Sequence, residues 1–425
     1  MSSKNNVDIL ITNASELLTC KPFDPKKPKT GEDLKDLVII KDGALGIKDG
    51  RIAFIGTSTD AKNITAKTTI NAARKVVMPG FVDCHTHAVF AGSREDEFLK
   101  KQQGIPYLEI LKQGGGILNT VEKTRRASKE ELLQKSEKIF WKMLEYGTTT
   151  VEVKSGYGLS FEDEKKILEV AQDVTKKVPI DIIRTYLGAH TVPKNTSKEN
   201  YVKEVISSLE KIKKYAEYCD VFCEKGVFSV GETETILTAA KKHGFKLKLH
   251  AEQNNQLHSA ELAAKLGVVS ADHLEYISPD GIKSMVDKGV IGVLLPGVPF
   301  YLMEEKYAPV RELINNGMAI AIASDFNPGS CPSYNMQLMI SLACLKMKLL
   351  PSEAINATTI NAAFAIDRGN EIGSLEEGKK ADVIVLEVDN HNKLPYYFGI
   401  NLVEKVIKNG KVVIDRGKSS IVDKH

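Results

Sequence analysis

The sequence predicts an α/β fold: a (β/α)8 barrel of the TIM type with a small β-sandwich domain built from both chain ends. Three observations predict it. Eight strand-like apolar runs alternate with helical patterns through the middle of the chain, which implies a parallel sheet with crossover helices. Roughly the first 80 and last 60 residues instead carry short β-like runs separated by turn signals. Histidines 85, 87, 190, 250 and 273 fall at or beside the ends of barrel strands, where barrel enzymes keep their chemistry. The expected division is 1–79 plus 366–425 for the small domain and 80–365 for the barrel. A doubly wound sheet is the alternative topology.

In chain order, the N-terminal runs are 8–12, 37–40, 44–48, 51–56 and 75–78. Lys48-Asp49-Gly50 is a hairpin signature. The Pro-broken basic segment 21–29 reads as a loop. The eight barrel strands are 81–87, 148–154, 181–189, 220–224, 246–252, 269–275, 290–296 and 319–326. Helical patterns at 130–146, 161–177, 198–218, 232–243 and 258–266 separate most of them. Strands return at 381–386 and at 405–414, the latter a hairpin turning at Asn409-Gly410.

The 425 residues are 42% hydrophobic, enough for a large core. With 58 basic and 55 acidic residues the net charge is only +3, which argues against nucleic acid as a partner. Six dispersed cysteines, at 20, 84, 219, 223, 331 and 344, fit buried reduced thiols and not a disulfide framework. Cys219 and Cys223 lack the second pair that a structural zinc site needs. Met-Ser-Ser-Lys-Asn-Asn has no apolar signal core, and no run of about 18 uncharged apolar residues exists. A cytoplasmic protein without a membrane span is expected.

The most informative motif is Pro79-Gly-Phe-Val-Asp-Cys-His85-Thr-His87, an apolar run ending in His-x-His. Residues i and i+2 of a strand share a face, so two imidazoles there suit one metal ion. His250 ends the fifth strand, His273 lies on the sixth and Asp325 on the eighth. Three imidazoles and a carboxylate suit one divalent or trivalent cation, with a position left for water. Such an ion lowers the pKa of that water. Asp325 is placed to accept its proton, and His273 to bond the water or polarise the substrate. Arg94 follows the first motif; it fits a carboxylate through a bidentate pair, or pairs on the surface with Glu95 or Asp96. Gly114-Gly115-Gly116 lacks the Gly-Lys-Ser/Thr ending of a phosphate loop and reads as a loop over the barrel mouth. Ser155-Gly156-Tyr157-Gly158 puts a phenol near that mouth, and 325–330 ends the last strand in a polar turn.

On these residues, and on Gly373-Ser-Leu-Glu-Glu-Gly-Lys-Lys-Ala-Asp-Val-Ile-Val near the C-terminus, the chain resembles the amidohydrolase superfamily over essentially its whole length. Five segments are more specific. They are His87-Ala-Val-Phe-Ala-Gly-Ser-Arg-Glu, Gly147-Thr-Thr-Thr-Val-Glu-Val-Lys-Ser-Gly-Tyr-Gly-Leu, Tyr186-Leu-Gly-Ala-His-Thr-Val-Pro, Lys248-Leu-His-Ala-Glu-Gln and Ser324-Asp-Phe-Asn-Pro-Gly-Ser. They resemble the branch that opens 4-imidazolone-5-propanoate to N-formimidoyl-L-glutamate in histidine degradation, by attack of metal-bound hydroxide on the ring carbonyl. The resemblance implies one Zn2+ or Fe3+ per chain, held by His85, His87, His250 and Asp325. It implies substrate contacts at Arg94, Tyr157, His190, Gln253, Asn327, Gly329 and Ser330, and a homodimer. It also implies that the strand-end lysines Lys154 and Lys225 are not carbamylated metal bridges. Relatives often carry Glu where this chain has Gln253. Strand alternation puts Glu252 on the face of His250, so Glu252 joins His273 and Asp325 as a candidate proton shuttle. A cyclic-amidine deaminase on the same scaffold is the alternative activity, and a noncatalytic scaffold the alternative class.

Overall fold

The computed structural model describes residues 6–105, 109 and 115–418. Of the glycine run at 114–116, Gly114 lies outside them. All eight expected barrel strands are present: β8 (Phe81–Asp83), β9 (Thr148–Lys154), β10 (Asp181–Ala189), β11 (Tyr218–Val221), β12 (Lys246–Ala251), β13 (Ser270–His273), β14 (Ile291–Leu294) and β15 (Ile320–Ile322). They pair in sequence order and in parallel. The doubly wound alternative is excluded, because its strand order would reverse. The two ends of the sheet, β8 and β15, meet through the segments that follow them, with Thr86 bridged to Phe326. β8 therefore stops short of the expected 81–87, and the two histidines lie beyond it.

Helices Lys129–Glu145, Phe161–Val174, Lys198–Ile212, Val230–Lys242 and Ser259–Leu266 replace the five helical patterns. Four of them start where a serine side chain accepts from a backbone N–H of the first turn: Ser128, Ser160, Ser197 and Ser229. Such caps satisfy donors that the helix cannot. They fix where each loop ends and the helix begins.

The chain ends form two sheets. One is four-stranded, with β4 (Gly43–Lys48) between β1 (Asn6–Ala14) and β5 (Arg51–Thr57), and β6 (Thr65–Asn71) parallel to β1. The other is six-stranded. It joins β2 (Glu16–Leu18), β3 (Ile39–Ile40) and β7 (Val76–Pro79) to β16 (Val383–Leu386), β17 (Val403–Lys408) and β18 (Lys411–Asp415), with β7 against β16. In β16 the side chains alternate faces. Val383 and Val385 enter a core shared with the four-stranded sheet, while Ile384 and Leu386 enter the barrel core. A strand covered on both faces is apolar throughout, and Val-Ile-Val-Leu is. The six-stranded sheet thus shares its second face with the barrel. Both expected hairpins form, with Asp49-Gly50 and Asn409-Gly410 all at positive φ, as a two-residue type I′ turn requires. β2 and β6 were not expected. β6 is an edge strand with Ile70 as its one buried side chain, so it carries no apolar alternation.

The segment 21–29 is a loop, and it is anchored. The Asn361 side chain accepts from the Lys29 N–H at 2.7 Å and donates to the carbonyls of Lys29 and Ile320. All six cysteines are free, and five are buried. No helix among the described residues is long and apolar enough to cross a membrane.

The barrel and the six-stranded sheet are also joined by a buried ion cluster. Lys408 Nζ lies 2.8 Å from Asp181 on β10 and 2.6 Å from Asp382. Burial opposes ionisation of Asp181, but Lys408 and Lys380 outweigh it and hold its carboxyl below the usual range. A carboxyl whose folded pKa is depressed stabilises the fold above its unfolded value, and that contribution is lost as pH falls through the folded one. Lys408→Met should cost about 3 kcal/mol at pH 7, since it leaves the buried Asp382 carboxylate and the half-buried Asp181 without their shared cation. In urea titrations the gap to the wild type should narrow below about pH 4.

Candidate active site

The site is built on the seam of the barrel. The Asp325 N–H donates to the His85 carbonyl at 3.0 Å, and the His87 N–H donates to the Phe326 carbonyl at 2.9 Å. Asp325 has φ +51°, a region few residues adopt but that Asp tolerates. Its Oδ1 lies 3.3 Å from His85 Nε2 and 3.5 Å from His87 Nε2. His250 and His273 arrive from the ends of β12 and β13. Their rings lie 4.6 and 5.6 Å from that of His85. His273 and Leu274 both have positive φ, at 84° and 72°. Such strain at non-glycine residues tends to collect at functional sites.

The donor atoms fall into two overlapping groups, His85 with His87 and Asp325, and His85 with His250 and His273. Within each group they lie within 4.8 Å of one another. The expected ligand set of His85, His87, His250 and Asp325 spans both groups, with His85 common to the two. His85 Nε2, Asp325 Oδ1 and His250 Nε2 are buried without a hydrogen-bond partner. Orphaned acceptors at that density are costly. Burial drives His85, His87 and His273 well below the ordinary imidazole range, so their lone pairs are available. Burial pushes the Asp325 carboxyl up to about 7. Neutral imidazoles and a carboxylate in need of a counter-ion fit a bound cation.

Beneath the histidines lies a charged network. His85 Nδ1–H donates to Asp272 at 2.6 Å, which fixes the tautomer and aims Nε2 at the cluster. Asp220 lies 3.0 Å from His250 Nδ1. Lys154, fully buried, touches Asp220 at 2.8 Å, Glu152 at 3.0 Å and Asp272 at 3.3 Å. Lys248 pairs with Glu152 at 2.7 Å. Burial would discharge Lys154, but the three carboxylates outweigh it and keep the ammonium. These five groups are absent from the expected site. Their signal was a charged residue inside an otherwise apolar strand, which must be paired when buried.

His87, His250, His273 and Asp325 form part of the wall of a cleft of about 650 Å3, with His85 buried behind them. All seven expected substrate contacts line it: Arg94, Tyr157, His190, Gln253, Asn327, Gly329 and Ser330. So do Lys101, Met303 and Glu304, which the sequence did not single out. Arg94 is paired with neither Glu95 nor Asp96. Its Nε and Nη2 bind Glu97 at 2.9 and 2.8 Å. A Cβ at Gly329 would sit 2.0 Å from Arg94 Nη1, so only glycine admits the guanidinium there. His190 Nδ1 donates to the Gly156 carbonyl at 3.1 Å, leaving Nε2 as an acceptor, and its ring stacks on His87 at 4.9 Å. Burial lowers His190 to about 3, so it is neutral.

Asn327 lines the cleft, and its side chain also ties its own loop together. Its Nδ2 donates to the Asp325 carbonyl and Ser330 Oγ, and its Oδ1 accepts from the N–H groups of Gly329 and Ser330. It holds the loop. Glu252 does not share the face of His250. At φ +55° the chain leaves the strand, and the carboxylate turns to accept from Leu257 N, Ser259 N and Ser259 Oγ at the start of a helix. A carboxylate at a helix N-terminus is a cap.

The amidohydrolase family model matches residues 76–413. The imidazolonepropionase of Alkaliphilus oremlandii is 47% identical over 97% of this chain and 99% of its own. That of Bacillus cytotoxicus is 47% identical over 97% and 98%. Among solved structures, a zinc-bound adenosine deaminase from Xanthomonas campestris superposes with a TM-score of 0.73 at 19% identity, covering 99% of this chain and 95% of that one. An ochratoxinase from A. niger gives 0.69 at 19%, covering 96% of each. At such identities the structural likeness shows the fold alone.

Asp272→Ala frees the His85 ring to rotate and to change tautomer. Competition with a chelator should show Zn2+ affinity of the apoprotein falling about 10–100-fold, with the far-UV spectrum unchanged.

Proposed function

The chain belongs to the amidohydrolase family and groups there with the imidazolonepropionases, and on that premise we propose that it hydrolyses 4-imidazolone-5-propanoate to N-formimidoyl-L-glutamate. The observation that carries this reading is the pairing, in one cleft, of the histidine–aspartate cluster with the guanidinium of Arg94. A cyclic amide with a carboxylate arm needs both ends.

His85, His87, His250 and Asp325 would hold one zinc or iron ion, since both accept imidazole and carboxylate. Bound there, the ion supplies Lewis acidity and brings the pKa of water towards neutrality. Arg94, braced by Glu97, receives the propanoate arm. Burial raises the Tyr157 phenol far above its ordinary value, so it acts only as a donor to the ring. His190 Nε2 accepts from a ring N–H. Ser330 and the N–H groups held by Asn327 shape the wall beside Asp325.

Water attacks the ring carbonyl carbon, and Asp325 takes its proton. A His273 N–H stabilises the oxyanion that develops on the carbonyl oxygen. The bond from that carbon to the ring nitrogen then breaks, and Asp325 returns the proton to the leaving nitrogen. The carbonyl becomes a carboxylate and the nitrogen stays on the formimidoyl group, so no ammonia forms. With Glu252 committed to its cap, Asp325 and His273 carry the proton and the charge. A homodimer and a cytoplasmic setting belong to the same reading.

Loss of the ultraviolet absorbance of freshly generated substrate tests it, corrected for spontaneous decay. Asp325→Ala should lower kcat by about 10²–10⁴-fold. Arg94→Met should act mainly on KM. Ammonia release would favour the deaminase alternative. Bound metal without turnover of this substrate would refute the assignment and keep the hydrolase class.

A further inference from the structure

The loop 155–159, between β9 and the helix Phe161–Val174, carries Tyr157 and the carbonyl that orients His190. It has no regular structure, and two of its residues have positive φ, Gly156 at 113° and Leu159 at 51°. Ser155 is tied to β10, its N–H donating to the Thr185 carbonyl and its Oγ accepting from the Leu187 N–H, and the residues beyond it are held mainly by two side chains. The buried carboxylate of Glu164 accepts from the N–H groups of Gly156 and Gly158 at 2.7 Å and of Leu159 at 2.6 Å. Arg125 donates from Nε to the Gly158 carbonyl at 2.6 Å and from Nη2 to the Leu159 carbonyl at 3.0 Å. A Cβ on Gly158 would lie 2.4 Å from the Glu164 nitrogen and 2.9 Å from its Oε1, so the loop is seated directly on this carboxylate. A Cβ on Gly156 would lie 2.7 Å from His190 Nδ1. The same turn thus serves both side chains.

We propose that Glu164, with Arg125, is a positioning residue that sets substrate affinity by holding the loop that places Tyr157 and His190. The proposal rests on the reading of those two side chains as substrate contacts. Neither Glu164 nor Arg125 lines the cleft, so both act through the loop. The role requires an acceptor at both carboxylate oxygens. An amide of the same shape turns one of them into a donor that faces a backbone N–H.

The test is steady-state kinetics on 4-imidazolone-5-propanoate with metal-loaded Glu164→Gln, Arg125→Met, Tyr157→Phe and the double variant Glu164→Gln/Tyr157→Phe. Glu164→Gln should raise KM about tenfold or more, because a shift of about 1 Å is enough to lose well-aimed contacts. Its kcat should change less than about twofold, since a lost uniform contact acts on KM. Arg125→Met should move KM the same way. A variant that merely misfolds in part would show the reverse, a lower apparent kcat at unchanged KM, and that result would overturn the proposal. In the double variant KM should rise by less than the product of the single effects, because the two changes share one contact. A multiplicative double variant would also overturn it. Wild-type KM in Glu164→Gln beside a raised KM in Tyr157→Phe would overturn the clamp alone. Wild-type KM in Tyr157→Phe would overturn the substrate reading, and the clamp's role with it.

Discussion

The barrel closes through the residues that form its site. β8 and β15 are the free edges of an eight-stranded sheet, and the hydrogen bonds that join them run between His85 and Asp325 and between His87 and Phe326. An open edge leaves backbone groups unpaired, so closure is needed for the fold itself. The same main-chain bonds bring the Asp325 carboxylate against both imidazoles. Asp83 reinforces the seam, accepting from the N–H and hydroxyl of Ser324 at 3.0 and 2.5 Å. The backbone therefore sets where these side chains start, and the carboxylates behind them set how the His85 and His250 rings are turned. That is the rigidity a preorganised site requires.

Charge beneath the seam completes the arrangement. Lys154 and Lys248 face Glu152, Asp220 and Asp272, so two positive charges meet three negative ones in a dry interior. The surplus among these five groups is one negative charge, and it lies directly behind the histidine cluster. A buried surplus is unfavourable unless a cation lies close, and the cluster of unpartnered donor atoms above it is where one fits. Asp272 and Asp220 reach His85 and His250, so the network that balances the charge also holds two of the rings.

Much of this was legible in sequence. Eight apolar runs separated by helical periodicity are a strong pattern because each strand is buried on both faces and each helix on one. The strand-end histidines followed from it. Edge strand β6 was missed because its solvent-facing Thr and Lys residues mask one buried Ile70. Glu252 was misplaced because alternation holds only while the chain stays extended, and a left-handed residue ends it. The Ser-x-x-Glu patterns at 128–131 and 229–232 were readable as capping boxes. The partner of Arg94 was not readable: Glu97 competes with Glu95 and Asp96, and only the helix start selects it. Asp220 and Asp272 stayed outside the expected site, because the partners that bury them come from strands far apart in sequence.

The proposed chemistry depends on one cation at the barrel seam. Anomalous diffraction from crystals of the metal-loaded protein tests it most directly. One peak per chain is expected, about 2.0–2.2 Å from His85 Nε2 and from donor atoms of His87, His250 and Asp325. A peak held by other residues, or none at the seam in protein that retains metal, would contradict it.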